Sequence, residues 1–153
     1  MGFAFKANTN DTRESASIQI CKDLIDEGAR IFIHDPKVSE LQIERDLNRK
    51  KNKRNDTDAE DKLLSPIGNW EFSKSLDIFE GAHAILMLTE WEEYKNINWI
   101  EAAKKMANPA WVFDARSIIN PKDIKDAKIN LWRVGDGTED RKSTRLNSSH
   151  NQI

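Results

Sequence analysis

The chain has 153 residues, 38% hydrophobic, 33% charged and 8% aromatic, with a net charge of −2. That length suits one domain burying about 70% of the surface of its unfolded chain, and five Trp and six Phe supply anchors that disordered chains lack. The longest purely apolar run, residues 84–88, is far shorter than the ~20 residues of a membrane span. In chain order, residues 2–5 read as a strand with nothing before it, so N-terminal truncation is expected. Asp11 with Glu14 has capping-box spacing and predicts a helix start, and Ile18, Cys21 and Ile25 beside Ile20 and Leu24 give that helix a stripe able to lie on a sheet. Gly28 ends it. Residues 30–34 read as a strand stopped by Asp35-Pro36, and residues 39–47 as a short helix. Residues 48–61 form a charged loop, basic first and acidic after. A short helix is expected over residues 74–80, ending at Gly81, followed by a buried strand over 83–88. Asn98 with Glu101 predicts another helix, closed by Pro109; residues 111–114 read as a strand, 121–127 as a helix opening with Pro121, and 129–134 as a fifth strand.

Strands alternating with helices indicate an α/β fold: a Rossmann-like parallel sheet of about five strands with helices on both faces. Ligands of such sheets bind at the carboxyl ends of the strands, which singles out Lys6, Asp35, Glu90 and Arg116. The tail beginning at Asp140 is polar and aperiodic. Its string Asp-Arg-Lys-Ser-Thr-Arg-Leu-Asn-Ser-Ser-His resembles one reading frame of a DNA-sequencing adapter, so residues 140–153 are expected to be non-native and without function. Residues 1–139 then form the domain, at a net charge of −4.

Generic catalytic motifs are missing. The six glycines build no Gly-x-Gly-x-x-Gly after the first strand, and the sequence has no phosphate loop, no Gly-x-Ser-x-Gly elbow and no metalloprotease helix. Lacking Cys-x-x-Cys or His-x-x-x-His clusters, it is expected to hold no metal. Cys21 sits in an apolar helical row and reads as core; His34 and His83 read as structural. Asp35 is open to two readings, a ribose contact or a turn cap, and without the glycine fingerprint the cap is preferred. No basic-hydrophobic leader opens the chain, so a cytoplasmic protein with no membrane partner is expected. The basic run 49–54 lacks interleaved aromatics and is neutralised by the acidic run beside it, which speaks for a solvated insertion and no nucleic-acid partner. What remains is a set of cations. Lys6 and Arg116 follow strands and Arg13 opens a helix, a combination suited to a diphosphate, although pairing with Asp11, Asp114 or Glu14 is the plainer use of Lys6 and Arg116.

Gly2-Phe-Ala-Phe-Lys-Ala-Asn-Thr-Asn-Asp-Thr-Arg-Glu-Ser15 resembles the segment that opens the C-terminal, UDP-binding domain of the UDP-glucose 6-dehydrogenases, within the UDP-glucose/GDP-mannose dehydrogenase family. The resemblance continues through His34-Asp-Pro-Lys37, Gly81-Ala-His-Ala84, Thr89-Glu-Trp91 and Phe113-Asp-Ala-Arg116, in the family's order. It implies part of an enzyme that oxidises UDP-glucose to UDP-glucuronate, passing two hydrides to NAD through a thioester on a cysteine. It also implies that the NAD-binding domain, that cysteine and the central helix that forms the homo-oligomer all precede this segment, so that this chain has no catalytic residue and is inert alone. Carried over, Phe5 and Lys6 match the substrate-binding pair, Arg116 the substrate-binding arginine, and Arg13 an arginine that contacts NAD across the domain interface. Ala115 departs from the family's usual glycine, and the loop 48–61 matches nothing in it. Thr89-Glu-Trp91 favours the UDP-glucose enzymes over relatives acting on UDP-N-acetylmannosamine or GDP-mannose; a stand-alone nucleotide-binding module is the remaining alternative.

Overall fold

Ser15, rather than Asp11, starts the first helix, α1 (Ala16–Asp26): its hydroxyl accepts the Ser17 amide at 3.3 Å. The Asp11 carboxylate is drawn instead to the Arg13 amide at 3.0 Å, and Glu14 at φ 58° is left-handed, which a helix interior forbids. Gly28 follows α1 at φ 90°, and the amides of Gly28 and Ala29 return to the carbonyls of Ile25 and Leu24, the expected glycine-terminated end. The computed structural model describes residues 1–48 and 69–135; the charged loop from residue 49 on and the tail 140–153 lie outside them.

Strand β1 (Ile31–His34) pairs in parallel with β2 (Trp70–Ser73), Ile31 opposite Trp70 and His34 opposite Ser73. Between them lies α2 (Glu40–Leu47), capped by Ser39, which accepts the Gln42 amide. A second parallel sheet holds β3 (Ala84–Met87), β4 (Trp111–Asp114) and β5 (Asn130–Arg133) in that order. A 3₁₀ segment, Glu92–Asn96, and α3 (Trp99–Lys105) link β3 to β4, and α4 (Pro121–Asp126) links β4 to β5. Asn98 caps α3 by accepting the Glu101 amide at 3.2 Å, and Pro121 opens α4, both as the sequence predicts.

Three further expectations are corrected. Residues 2–5 are not a regular strand. Gly2 N donates to His34 O at 2.8 Å and Leu88 N to Met1 O at 2.9 Å, so the first two residues run between β1 and β3 and join the two sheets; the next amides, of Phe3 and Ala4, turn to the Asp35 carboxylate and end the pairing. Residues 74–80 form no helix, because Ser73 and Ser75 accept the amides of Ser75 and Asp77 and stabilise successive turns. The fifth strand is β2, not predicted at all, which takes the place of the expected strand at 2–5.

The strand order β2, β1, residues 1–2, β3, β4, β5 reverses at its centre. Right-handed crossovers therefore put α1 and α2 on one face and α3 and α4 on the other, in agreement with the packing of α1 on α2 and of α3 on α4. The core joins Phe3, Ile43, Trp70, Met87, Tyr94, Val112 and Ile124. Strands β3 and β4 turn Ile85, Met87 and Val112 inward; on the other face Trp111 stacks on Phe113, which meets Trp132 of β5, with the two tryptophans 39% and 47% exposed. No helix among the described residues is long and apolar enough to cross a membrane.

Candidate functional site

A sheet whose strand order reverses leaves a crevice at the carboxyl ends of the strands flanking the reversal, where α/β proteins bind nucleotides. Here those flanks are β1 and β3, and the chain leaves them through Asp35 and through Leu88, Thr89 and Glu90. Residues 2–5 lie between.

Asp35 is fully buried and spends both oxygens on the fold. Oδ2 accepts the amides of Phe3 (2.8 Å) and Ala4 (3.0 Å) and the Trp91 indole N–H (3.2 Å), while Oδ1 accepts the amides of Lys37 and Val38, each at 2.9 Å. It is a turn cap, as preferred over a ribose contact, and it also anchors the N-terminal segment, which the sequence reading missed; the visible signal was an aspartate directly after an apolar strand. Asp114 repeats the pattern after β4: it is buried, its Oδ1 accepts the Arg116 amide at 3.1 Å, its Oδ2 accepts the Ile119 amide at 2.9 Å, and Arg133 Nε stands 3.7 Å away. Carbonyls of the N-terminal segment are held by hydroxyls: Ser17 donates to Gly2 O, Ser15 to Phe3 O and Thr89 to Ala4 O, at 3.0, 2.8 and 2.7 Å. Phe5 and Lys6 therefore leave a rigidly held stem.

Arg116 reaches back to that stem. Its Nε donates to Leu88 O at 3.0 Å and its Nη2 to Phe5 O at 3.3 Å, and Glu90 Oε2 lies 3.5 Å from Nε. Phe5 and Arg116 thus meet, and Lys6, exposed, is the next residue along. The plainer pairing of Arg116 with Asp114 involves only its backbone amide; its guanidinium goes to two carbonyls and faces Glu90. Arg13 does not join this contact. It grips Asp11 through Nε and Nη2 at 3.0 and 2.9 Å with its side chain 88% exposed, while Asp11 O accepts the Phe5 amide at 2.7 Å. Those guanidinium and amide hydrogen bonds from Arg13, with Lys6 adding through space, hold the Asp11 carboxyl down at about 2. Ala115 sits without a positive φ; the left-handed residue is Ser117, at φ 56°, so the departure from glycine introduces no strain before Arg116.

Cys21 and His34 are structural, whereas His83, expected to be so, lies at the surface at the entry to β3. Cys21 is buried, and burial pushes its thiol up to about 11, far from the thiolate a nucleophile needs. His34 is buried between the Tyr94 hydroxyl, 2.8 Å from Nδ1, and Lys74 O, 3.2 Å from Nε2. His83 is exposed.

Fold and site together define a Rossmann-like nucleotide-binding domain whose loops converge at the reversal of strand order. Residues 1–121 match the UDP binding domain of the UDP-glucose/GDP-mannose dehydrogenase family, and the chain belongs to that family. It is 39% identical over 140 residues to UDP-glucose 6-dehydrogenase 4 of Arabidopsis thaliana, covering 88% of this chain and 28% of that protein. Against UDP-glucose 6-dehydrogenase 2 of the same plant it is 37% identical over 145 residues, 92% of this chain and 30% of the relative. The rice (Oryza sativa subsp. japonica) UDP-glucose 6-dehydrogenase 5 is 37% identical over 140 residues, 88% and 28% of the two chains. The chain spans less than a third of the length of these relatives.

Proposed function

We propose that residues 1–139 are the UDP-sugar-binding domain of an NAD-dependent UDP-glucose 6-dehydrogenase, with Phe5, Lys6 and Arg116 as the substrate-binding residues. The observation that carries this reading is the Arg116 guanidinium, tied to the carbonyls of Leu88 and Phe5 where the strand order reverses. An arginine oriented by two backbone acceptors and still 41% exposed is set to grip a diphosphate with little ordering on binding. Lys6 adds a second cation on the adjoining residue. The names of the relatives support UDP-glucose over UDP-N-acetylmannosamine or GDP-mannose as substrate.

NAD, when bound, accepts the hydride removed from the sugar. The described residues fit only its edge, since no glycine-rich phosphate turn occurs and Arg13 is the one residue carried over for that contact; its guanidinium would have to share its charge with Asp11. Binding of the main part of NAD, the catalytic cysteine and the homo-oligomer contacts are assigned to domains outside these 153 residues, and residues 140–153 to no function.

Calorimetry of the 153-residue chain with UDP, UDP-glucose and GDP-mannose tests the reading: both uridine ligands should bind and GDP-mannose should bind more weakly. UDP-glucose with NAD should yield no NADH. Absence of UDP binding, or NADH formed above background, would overturn it.

A further inference from the structure

Glu90 stands between the two segments that bear the proposed substrate-binding groups. Its Oε1 accepts the Ala7 amide at 3.4 Å, next to Lys6, while its Oε2 lies 3.5 Å from Arg116 Nε. Oε2 is shielded from water yet receives no hydrogen bond, because Arg116 Nε donates to Leu88 O instead. Buried polar atoms are nearly always hydrogen-bonded, and the exceptions call for an explanation.

We propose that Glu90 is a specificity-determining residue of this site, which sets how much favourable charge contact an anion must bring. Its carboxylate covers the Nε side of Arg116 with a fixed negative charge. A phosphate then reaches the guanidinium from the Nη side, where repulsion by Glu90 is offset only if a second cation, Lys6, is engaged as well. A diphosphate has two charged groups to divide between Arg116 and Lys6; a single phosphate has one and is repelled by Glu90. The inference rests on the reading of Arg116 and Lys6 as diphosphate ligands.

The test is calorimetry on the 153-residue chain with UDP and with inorganic phosphate, for the wild type and Glu90→Gln, which keeps an oxygen for the Ala7 amide and removes the charge. Glu90→Gln should bind UDP about 3- to 10-fold more tightly, the range for one nearby unit charge under partial solvent screening, and the gain should shrink as salt is raised. Inorganic phosphate should give no detectable binding to the wild type and measurable binding to the variant. Equal or weaker UDP binding by the folded variant overturns the proposal, and a weakening seen with UDP-glucose but not with UDP would reassign Glu90 to a sugar hydroxyl. Glu90→Ala, checked by its unfolding midpoint, should move affinity in the same direction; failure of both variants to fold would make Glu90 structural and also overturn it. If UDP binds neither the wild type nor either folded variant, the Arg116 reading itself has failed. If UDP binding is lost in Arg116→Ala but unchanged in Glu90→Gln, only the role of Glu90 is refuted.

Discussion

Gly2 and Thr89 are packed so closely that a Cβ on Gly2 would lie 2.6 Å from the Thr89 hydroxyl oxygen and 2.7 Å from its amide nitrogen. Thr89 cannot retreat, because its hydroxyl donates to Ala4 O at 2.7 Å and the side chain is fully buried. Gly2 also sits at φ 86°, where a side chain is strained regardless of space. Gly2→Ala is therefore expected to destabilise the fold by about 2 to 4 kcal/mol, combining overpacking with the left-handed backbone cost. Urea unfolding checks this; a change under about 1 kcal/mol would mean that the contact relaxes freely.

Asp35 gathers five donors from three stretches of chain, and an asparagine could not serve them. Its single oxygen would satisfy one side of the group, and its NH₂ would face the amides of Phe3 and Ala4 or those of Lys37 and Val38. Asp35→Asn should cost about 3 kcal/mol or more, since each stranded buried donor costs about 1 to 3. Amide exchange should quicken most at Phe3, Ala4 or Val38, because the damage is local before it is global. Uniform protection at those amides would argue that the carboxylate is dispensable.

His34 makes stability depend on pH in a definite direction. Lys74 O can only accept, so Nε2 carries a ring proton, while the Tyr94 hydroxyl, 2.8 Å from Nδ1, donates to His34 O at 3.2 Å. Burial lowers the pKa of His34 below its usual 6.5, against smaller opposing effects of the Lys74 carbonyl and Asp35. Because the folded state then binds a proton less readily than the unfolded chain, the His34 contribution is complete above the unfolded value and is lost as pH falls below it. Between about pH 7.5 and about pH 5.5 the urea midpoint should fall for the wild type and fall less for His34→Gln. Asp11 and Glu101, both with lowered pKa values, do not titrate in that interval, whereas burial lowers the Met1 amino group to about 6, so it titrates there in the same direction and accounts for the slope that remains in His34→Gln. Parallel slopes for the two proteins would remove His34 as the cause.

The signals that could be read from the sequence were those written into adjacent residues. Asn98 with Glu101, Pro121, Gly28 and the apolar run 84–88 all act within one turn or one strand, and each produced the expected element, although β3 is buried on one face only, with Ala84 exposed, where the run suggested a fully buried strand. Legibility failed where a distant group decided the outcome. Trp70–Ser73 is a strand because β1 offers it a ladder and Arg30 reaches across to Glu71 at 2.8 Å; four residues with a charge in the middle carry too little pattern to announce this. Asp11 looks like a helix cap until Arg13 claims its carboxylate. For the candidate site, the strand-end rule found Asp35, Glu90 and Arg116 from order alone. It could not foresee that Asp35 faces inward while Arg116 turns to Phe5, since that depends on which backbone groups the crowded reversal of the sheet leaves unpaired.

Arg116 and Arg13 are separable by experiment. Arg116 bonds the stem of the Phe5–Lys6 loop and the carbonyl that follows β3, whereas Arg13 lies exposed and paired with Asp11. Arg116→Ala should weaken UDP binding by about 1.5 to 3 kcal/mol, the range for a hydrogen bond to a charged partner. It should leave the unfolding midpoint nearly unchanged, because the carbonyls of Leu88 and Phe5 can turn to water at this partly exposed position. Arg13→Ala should leave UDP affinity within about 0.5 kcal/mol of the wild type, as expected for a surface pair with Asp11, and in a full-length relative it should act on NAD. Calorimetric UDP affinities that stay equal in Arg116→Ala and the wild type would take Arg116 out of the site. A UDP defect confined to Arg13→Ala would move the anion site to the outer side of the loop.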